Sequence, residues 1–212
     1  MRLNYLIFIL PVFIMTSACV DSKSHKEKAI GGPAIVSDTI NGKYEIKSGI
    51  IEYISTMSGS RAKQTLFFDN YGNEESTETI INIGGLEITT VSLVKDDFVY
   101  SYNPSLNKGT KVKILGRQTS NINFRNMSED RRRKMNLEMI DTVLIDGRTC
   151  VRYSEDWVEM SMTGIYTVWK GITLESEIKI SNVDMVMKAT NIIENPVIPA
   201  SRFELPDDIK LN

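Results

Sequence analysis

The feature that most limits what this chain folds into is a succession of short alternating segments cut by glycine turns. Gly84-Gly85 separates an apolar run ending at Ile83 from one beginning at Leu86. Asp146-Gly147 separates Thr142-Val143-Leu144-Ile145 from Arg148-Thr149-Cys150-Val151-Arg152-Tyr153. Two residues that accept positive φ match the twist of paired strands, so such dipeptides between alternating runs read as antiparallel hairpins. A long strand is expected from Tyr44 to Ile54 with a bulge near Gly49, followed by strands over 62–68, 77–83, 86–94, 98–102 and 111–115. Beyond residue 140 the expected strands are 142–145, 148–153, an alternating Val158-Met160-Met162, 166–170, 172–180 and 183–190. In the last two, Ile172, Leu174, Ile178 and Ile180 share one face, as do Val183, Met185, Met187 and Ala189. No period of 20–50 residues recurs, which excludes propellers and solenoids. The expected class is mainly β (α+β): a curved antiparallel sheet or incomplete β-barrel of about 10–11 strands with one or two covering helices.

One segment departs from the alternation. Ser128 is a good N-cap, Glu129 and Asp130 make an acidic first turn, and Met135 and Met139 fall four apart. This pattern predicts a helix over residues 128–140, laid across the sheet.

The N-terminus carries a different kind of signal. Met1-Arg2, an apolar run over residues 3–15, and Thr16-Ser17-Ala18-Cys19 describe a secretory signal. The run is shorter than the roughly 20 residues a spanning helix needs, and Pro11 interrupts it. Small residues before a cysteine resemble a lipobox, in which the thiol of Cys19 is acylated and becomes the mature terminus; Thr16 stands where leucine is usual. The expected organisation is a lipoprotein signal peptide over residues 1–18, a lipidated polar tether over 19–41, and one domain over 42–212. The protein is then held to the membrane by its lipid and lies in the cell envelope, with outer membrane and periplasm favoured. A plain signal peptide ending at a coincidental cysteine is the alternative.

Composition removes several function classes. Cleavage after Ala18 removes one Arg and no acid, moving the net charge from −2 to −3 with the histidine neutral. Nucleic-acid binding needs a concentrated basic footprint, so none is expected. The sole histidine, His25, falls in the tether, which argues against a Ser-His-Asp or Cys-His site and against a multi-histidine zinc site. Cys150 has no partner once Cys19 is acylated and is expected as a buried apolar residue. Glu74-Glu75, Asp96-Asp97, Glu155-Asp156 and Asp207-Asp208 are adjacent in sequence, so their side chains diverge on a strand, and they are read as solvated turn charges. The Asp69–Glu75 turn misses the calcium-loop spacing. Arg131-Arg132-Arg133-Lys134 spreads around a helix and reads as a solvated face, with weak contact to anionic lipid as the alternative. No catalytic residue, metal site or cofactor is expected.

What remains is an apolar inventory in the later strands. Val158, Met160, Met162, Trp169, Met185 and Met187 are large and several are flexible, a combination that repacks around varied apolar ligands as readily as it fills a core. They are the candidate ligand-binding residues.

Trp169-Lys170-Gly171-Ile172-Thr173-Leu174, Ala189-Thr190, Ile198-Pro199 and Phe203-Glu204-Leu205-Pro206 resemble the C-terminal half of LolA-like envelope proteins, the group of the periplasmic lipoprotein carrier and the outer-membrane lipoprotein receptor. The strand over 44–53 and Phe67-Phe68-Asp69-Asn70-Tyr71-Gly72 are similar to lipoproteins of that group, so the resemblance covers residues 43–208. It implies an incomplete antiparallel barrel with helices over its mouth and an apolar cavity for acyl chains. No long N-terminal helix is evident between Val20 and Asn41, and no residue matches the carrier's functional arginine. The expectation is a non-enzymatic lipid-anchored protein binding an acyl chain or lipoprotein. A structural or protein-interaction lipoprotein without a ligand cavity stays open beside it, as does, more remotely, a hydrolase using carboxylates alone.

Overall fold

The computed structural model describes residues 42–95, 98–113 and 122–211. The signal segment, Cys19, the tether with His25, Asp96-Asp97 and the end of the strand expected over 111–115 lie outside the described residues.

The first half of the chain is a meander of β1 (Gly49–Met57), β2 (Ser60–Asp69), β3 (Glu74–Ile83), β4 (Leu86–Lys95), β5 (Phe98–Asn103) and β6 (Lys108–Lys113). The helix α1 (Glu129–Lys134) follows. A second meander comprises β7 (Glu138–Ile145), β8 (Arg148–Trp157), β9 (Met162–Trp169), β10 (Ile172–Ile180) and β11 (Val183–Glu194). A two-residue strand, β12 (Lys210–Leu211), ends the chain. All belong to one curved, open sheet in the order β12-β6-β5-β4-β3-β2-β1-β11-β10-β9-β8-β7. The meanders join where β1 pairs antiparallel with β11. Among the described residues the single parallel pair is β12 with β6.

The turn chemistry explains the connectivity. Gly84-Gly85 and Asp146-Gly147 all have positive φ, the requirement of the tight hairpin they were expected to form. Lys170-Gly171 repeats the device between β9 and β10.

Directly opposed residues point the same way, so the register defines a common inner face. Gly49, Phe68, Glu75 and Val94 form one row across β1 to β4. Met57, Met185, Ile178, Gly164 and Glu155 form another across β1 and β11 to β8. One buried cluster contains Ile51, Tyr53, Leu66, Phe68, Trp169 and Leu174. A second packs Phe124, Met135 and Leu137 from the segment before β7 onto Tyr166 and Val168. A third lies under the C-terminal residues, where Leu205 and Ile209 cover Val91, Leu93 and Tyr102.

Several expectations are corrected. The expected sheet of about 10–11 strands is present, and the twelve strands among the described residues include the two-residue β12, which carries no periodic signal. Residues 42–47 are bends and not strand. Their alternation is real, with Tyr44 and Ile46 buried and Glu45 and Lys47 exposed. Their backbone, however, bonds to turns: Tyr44 N–H donates to Tyr71 O (3.1 Å) and Glu45 N–H to Lys170 O (3.0 Å). The bulge expected near Gly49 occurs instead between Glu52 and Tyr53, against β11. The helix is six residues long: Ser128 caps it as expected, but Met135 ends it and Asn136 turns left-handed at φ 43°. Met139 therefore lies in β7 and not on a helical face with Met135. Val158 and Met160 do not alternate in a strand; they belong to a 3-10 turn, Val158–Met160, closed by Ser161 at φ 48°.

Candidate functional site

The protein's own side chains fill much of the inner face, and among the described residues a cavity opens between the two meanders. Leu66, Ile122 and Met187 give it apolar walls; Gln64, Thr77 and Thr173 bring neutral polar groups. Tyr44, Tyr53 and Gly171 also border it. The register accounts for the convergence, since Leu66 opposes Ile51 and Thr77, and Gln64 opposes Tyr53. The cavity measures about 70 Å³. A water needs roughly 10–15 Å³ of such volume, and sites for drug-sized ligands run to about 300–1,000 Å³. This one admits a small group and not a whole acyl chain.

A polar cluster stands behind the cavity. Glu75 is 4% exposed, and its carboxylate accepts from the Lys43 ammonium and, at 2.5 Å, from the Tyr44 hydroxyl. Gly49 makes room for it: a Cβ there would strike the Phe68 ring, which lies 4.4 Å from that of Tyr44. The Tyr53 hydroxyl donates to Thr173 O at 3.0 Å. Burial, and secondarily the charge of Glu75, push the Tyr53 phenol well above its ordinary range, so it is a donor at any physiological pH.

A second carboxylate is buried on the same face in the other meander. Glu155 is 3% exposed; its Oε2 accepts from the Tyr166 hydroxyl, and its Oε1 has no partner among the described residues. Burial pushes its carboxyl up, against the smaller opposing effects of the Tyr166 bond and the Arg131 charge. Burial and the neighbouring carboxylate likewise hold the Tyr166 phenol protonated. Above it lies the segment of residues 122–137, pinned where Asp156 N–H donates to Met135 O (3.0 Å) and where Arg125 Nη1 donates to Tyr44 O (2.9 Å).

These two glutamates correct the reading of Glu74-Glu75 and Glu155-Asp156 as solvated turn charges. In each pair the residues diverge across a strand as expected, but one carboxylate enters the core. The available signal was in the flanks, where Tyr153-x-Glu155-x-Trp157 places the acid on the same face as two aromatics. The roles of Lys43, Tyr44, Tyr53 and Gln64 had no local signal.

Among the six candidate ligand residues, Met187 lines the cavity. Met185 and Met162 are half-buried on the same inner face, Met185 opposite Met57 and Met162 opposite Trp157. Trp169 is buried in the first cluster, with the Lys170 ammonium 4.6 Å from its ring centre. Val158 is 78% exposed on the 3-10 turn, with half-buried Met160 two residues on. The structure thus brings three methionines to one face and sets Val158 apart from them. Cys150 is buried as expected, its thiol pushed up by burial and donating to Arg148 O at 3.3 Å. Among the described residues no three His, Cys, Asp or Glu gather as a metal site, and no helix is long and apolar enough to cross a membrane.

No protein-family model matches the sequence, and no curated protein is significantly similar to it. One solved structure shares its fold, and others match it more loosely. A conserved protein from Thermus thermophilus superposes with a TM-score of 0.55 at 10% identity, over 82% of this chain and 97% of that one. A candidate outer membrane lipoprotein-sorting protein domain from Vibrio parahaemolyticus gives 0.39 at 8% identity, over 78% and 93%. The Mycobacterium tuberculosis lipoprotein LppX gives 0.41 at 9% identity, over 73% and 90%. At such identities the likeness extends to the fold and no further. The chain is mostly β, one curved open antiparallel sheet with a single short α-helix among the described residues, and the superposition on the Thermus protein is a likeness of fold alone.

Proposed function

We propose that this chain is a non-enzymatic envelope protein, anchored by an acylated Cys19, whose sheet takes the apolar part of an acyl chain or lipoprotein against its inner face. The observation that carries the reading is the cavity at Leu66, Ile122 and Met187, which borders a face where Met185 and Met162 also lie. Ile122 is both a wall of the cavity and part of the packing around Phe124 and Tyr166. Displacing residues 122–137 therefore extends the cavity along the face that Met135 and Leu137 now cover. The helix in that segment is six residues long and contains no buried residue, so little holds it except its flanks. Outer membrane and periplasm are the proposed location.

Native mass spectrometry of the full chain carrying Cys19→Ser, with extraction of co-purifying lipid, tests the ligand; an acyl species that leaves with Met187→Arg supports it. Recovery of no lipid, with no uptake of a fluorescent fatty acid, overturns it. For the anchor, Cys19→Ser should abolish fatty-acid labelling and release the protein from membranes, and labelling that persists refutes acylation there.

A second reading, a protein-interaction lipoprotein, draws on a different observation. The outermost strand β7 leaves Leu144 71% and Met139 59% exposed, and no described strand pairs with its outer side. An extended segment of a partner adds to such an edge through main-chain hydrogen bonds.

A further inference from the structure

We infer that the cavity is a headgroup subsite for an uncharged, hydrogen-bonding group, of the hydroxyl or ester kind found on a glycerol lipid, and that it rejects an ionised carboxylate or phosphate. The inference rests on the ligand-binding reading above and specifies which end of the amphiphile enters. Its starting point is a mismatch between walls and volume. A cavity of about 70 Å³ is too small for an acyl chain, yet it is not merely a packing defect. Three neutral polar side chains, Gln64, Thr77 and Thr173, converge on it. None of them makes a side-chain hydrogen bond to any described residue. Half-buried amide and hydroxyl groups facing one small space offer both donors and acceptors to whatever sits there.

The charges nearby decide what that occupant is. Among the described residues no cationic side chain lines the cavity. The one ammonium in the adjoining cluster, that of Lys43, is committed to Glu75. The Arg125 guanidinium is taken by the carbonyl oxygens of Gly42 and Tyr44. An anion entering here loses its water without gaining a counter-charge, because the nearest ammonium and guanidinium are already engaged. A cation has no carboxylate lining to meet either, since Glu75 is satisfied by Lys43 and Tyr44. The neutral polar group is the class left. Met187, Leu66 and Ile122 then flank its first methylenes.

The test uses the full chain carrying Cys19→Ser and three probes with one acyl chain in common: monoolein, oleate at pH 8 and methyl oleate. Binding is read by displacement of a fluorescent lipid and by calorimetry. Monoolein should bind about tenfold or more tighter than oleate, the discrimination expected when a charge is desolvated without a partner. The same preference should shrink to threefold or less, roughly, in Gln64→Leu and in the near-isosteric Thr173→Val, while methyl oleate changes less than monoolein. Oleate binding as tightly as monoolein, or a monoolein preference unaltered by both substitutions in folded protein, overturns the headgroup assignment and leaves acyl binding standing. Failure of all three probes to bind overturns both.

Discussion

The two meanders each bury one glutamate on the shared inner face, and the protein treats the two differently. Glu75 in β3 accepts from Lys43 and Tyr44, and both its oxygens are engaged. Glu155 in β8 accepts from Tyr166 on one oxygen and leaves the other without a described partner. Each depends on a glycine opposite or beside an aromatic ring: Gly49 yields to Phe68, and Gly164 lies 3.1 Å, measured from an added Cβ, from the ring and hydroxyl of Tyr166. The difference lies in the cation. Lys43 comes from the segment entering the sheet and is itself buried, whereas Arg131 comes from α1 and is only half-covered. A buried carboxylate with a bonded ammonium locks its surroundings together, because neither charge can leave alone. One without such a partner keeps its region responsive to protonation. The locked glutamate sits behind the cavity, and the responsive one lies under the segment that covers the rest of the face.

Removing the cation that distinguishes the pair should have the largest effect. Lys43→Met leaves Glu75 charged and unpaired at 4% exposure, which costs about 3–5 kcal/mol, read as a lowered urea midpoint with unchanged slope. A loss below about 1 kcal/mol at neutral pH would mean that the pair contributes as little as a surface salt bridge.

The glycines test the geometry. Gly49→Ala drives a methyl into the fully buried Phe68 ring, which has no free space to take up; about 1–3 kcal/mol should be lost. Gly164→Ala meets its neighbour at 3.1 Å, a conflict of a few tenths of an ångström. The reduced freedom of the unfolded chain offsets it by about 0.4–1 kcal/mol, so the net change should be close to zero. Thermal unfolding of both variants reads the contrast directly. Equal losses would show that the two aromatic neighbours are packed alike and that the asymmetry is electrostatic alone.

Much of this architecture was legible in the sequence because it is local. Gly84-Gly85 and Asp146-Gly147 specify hairpins by their own φ requirements, and alternation placed Ile178 and Ile180 of β10 on the face of Met185 and Met187 in β11, though the irregularity between Thr173 and Glu175 breaks the single face expected back to Ile172. Helix α1 was legible at its start, where Ser128 accepts from Arg131 N–H, but not at its end. Met135 and Met139 have helical spacing, yet β8 offers Met139 a strand partner in Tyr153, and that long-range pairing wins. The same reason hid the buried glutamates. Glu75 is placed by Lys43 and Tyr44, more than thirty residues away, and Glu155 by Tyr166, eleven away on the next strand. Of the candidate site, Met187 was legible from its face; Gln64, Thr77 and Thr173 were not, since a polar residue in an alternating strand reads as solvent-facing until its register is known.

The smallest predicted effect is the most diagnostic of the comparison. Glu155→Gln keeps the shape and an acceptor for Tyr166, so stability at neutral pH should change by less than about 1 kcal/mol. Its pH dependence should change in form. Burial raises the Glu155 pKa in the folded protein, so the folded state binds the proton more tightly than the unfolded one. The contribution to stability is therefore complete below the ordinary carboxyl range near 4.3 and is lost as pH rises through the raised value. Asp141 works in the opposite sense: its bond from Arg152, 2.7 Å to Nε, lowers its pKa, and that stabilisation fades as pH falls. In the wild type the two oppose each other in mild acid; in Glu155→Gln only the loss from Asp141 remains, so stability should fall more steeply from pH 6 toward pH 4. Hydrogen exchange, expressed as protection relative to the free peptide, localises the effect. The Asp156 amide, which donates to Met135 O, should lose protection between pH 5 and pH 8 in the wild type and hold it in the variant. Identical protection profiles in the two proteins would show that Glu155, despite its unpartnered oxygen, is as firmly locked as Glu75.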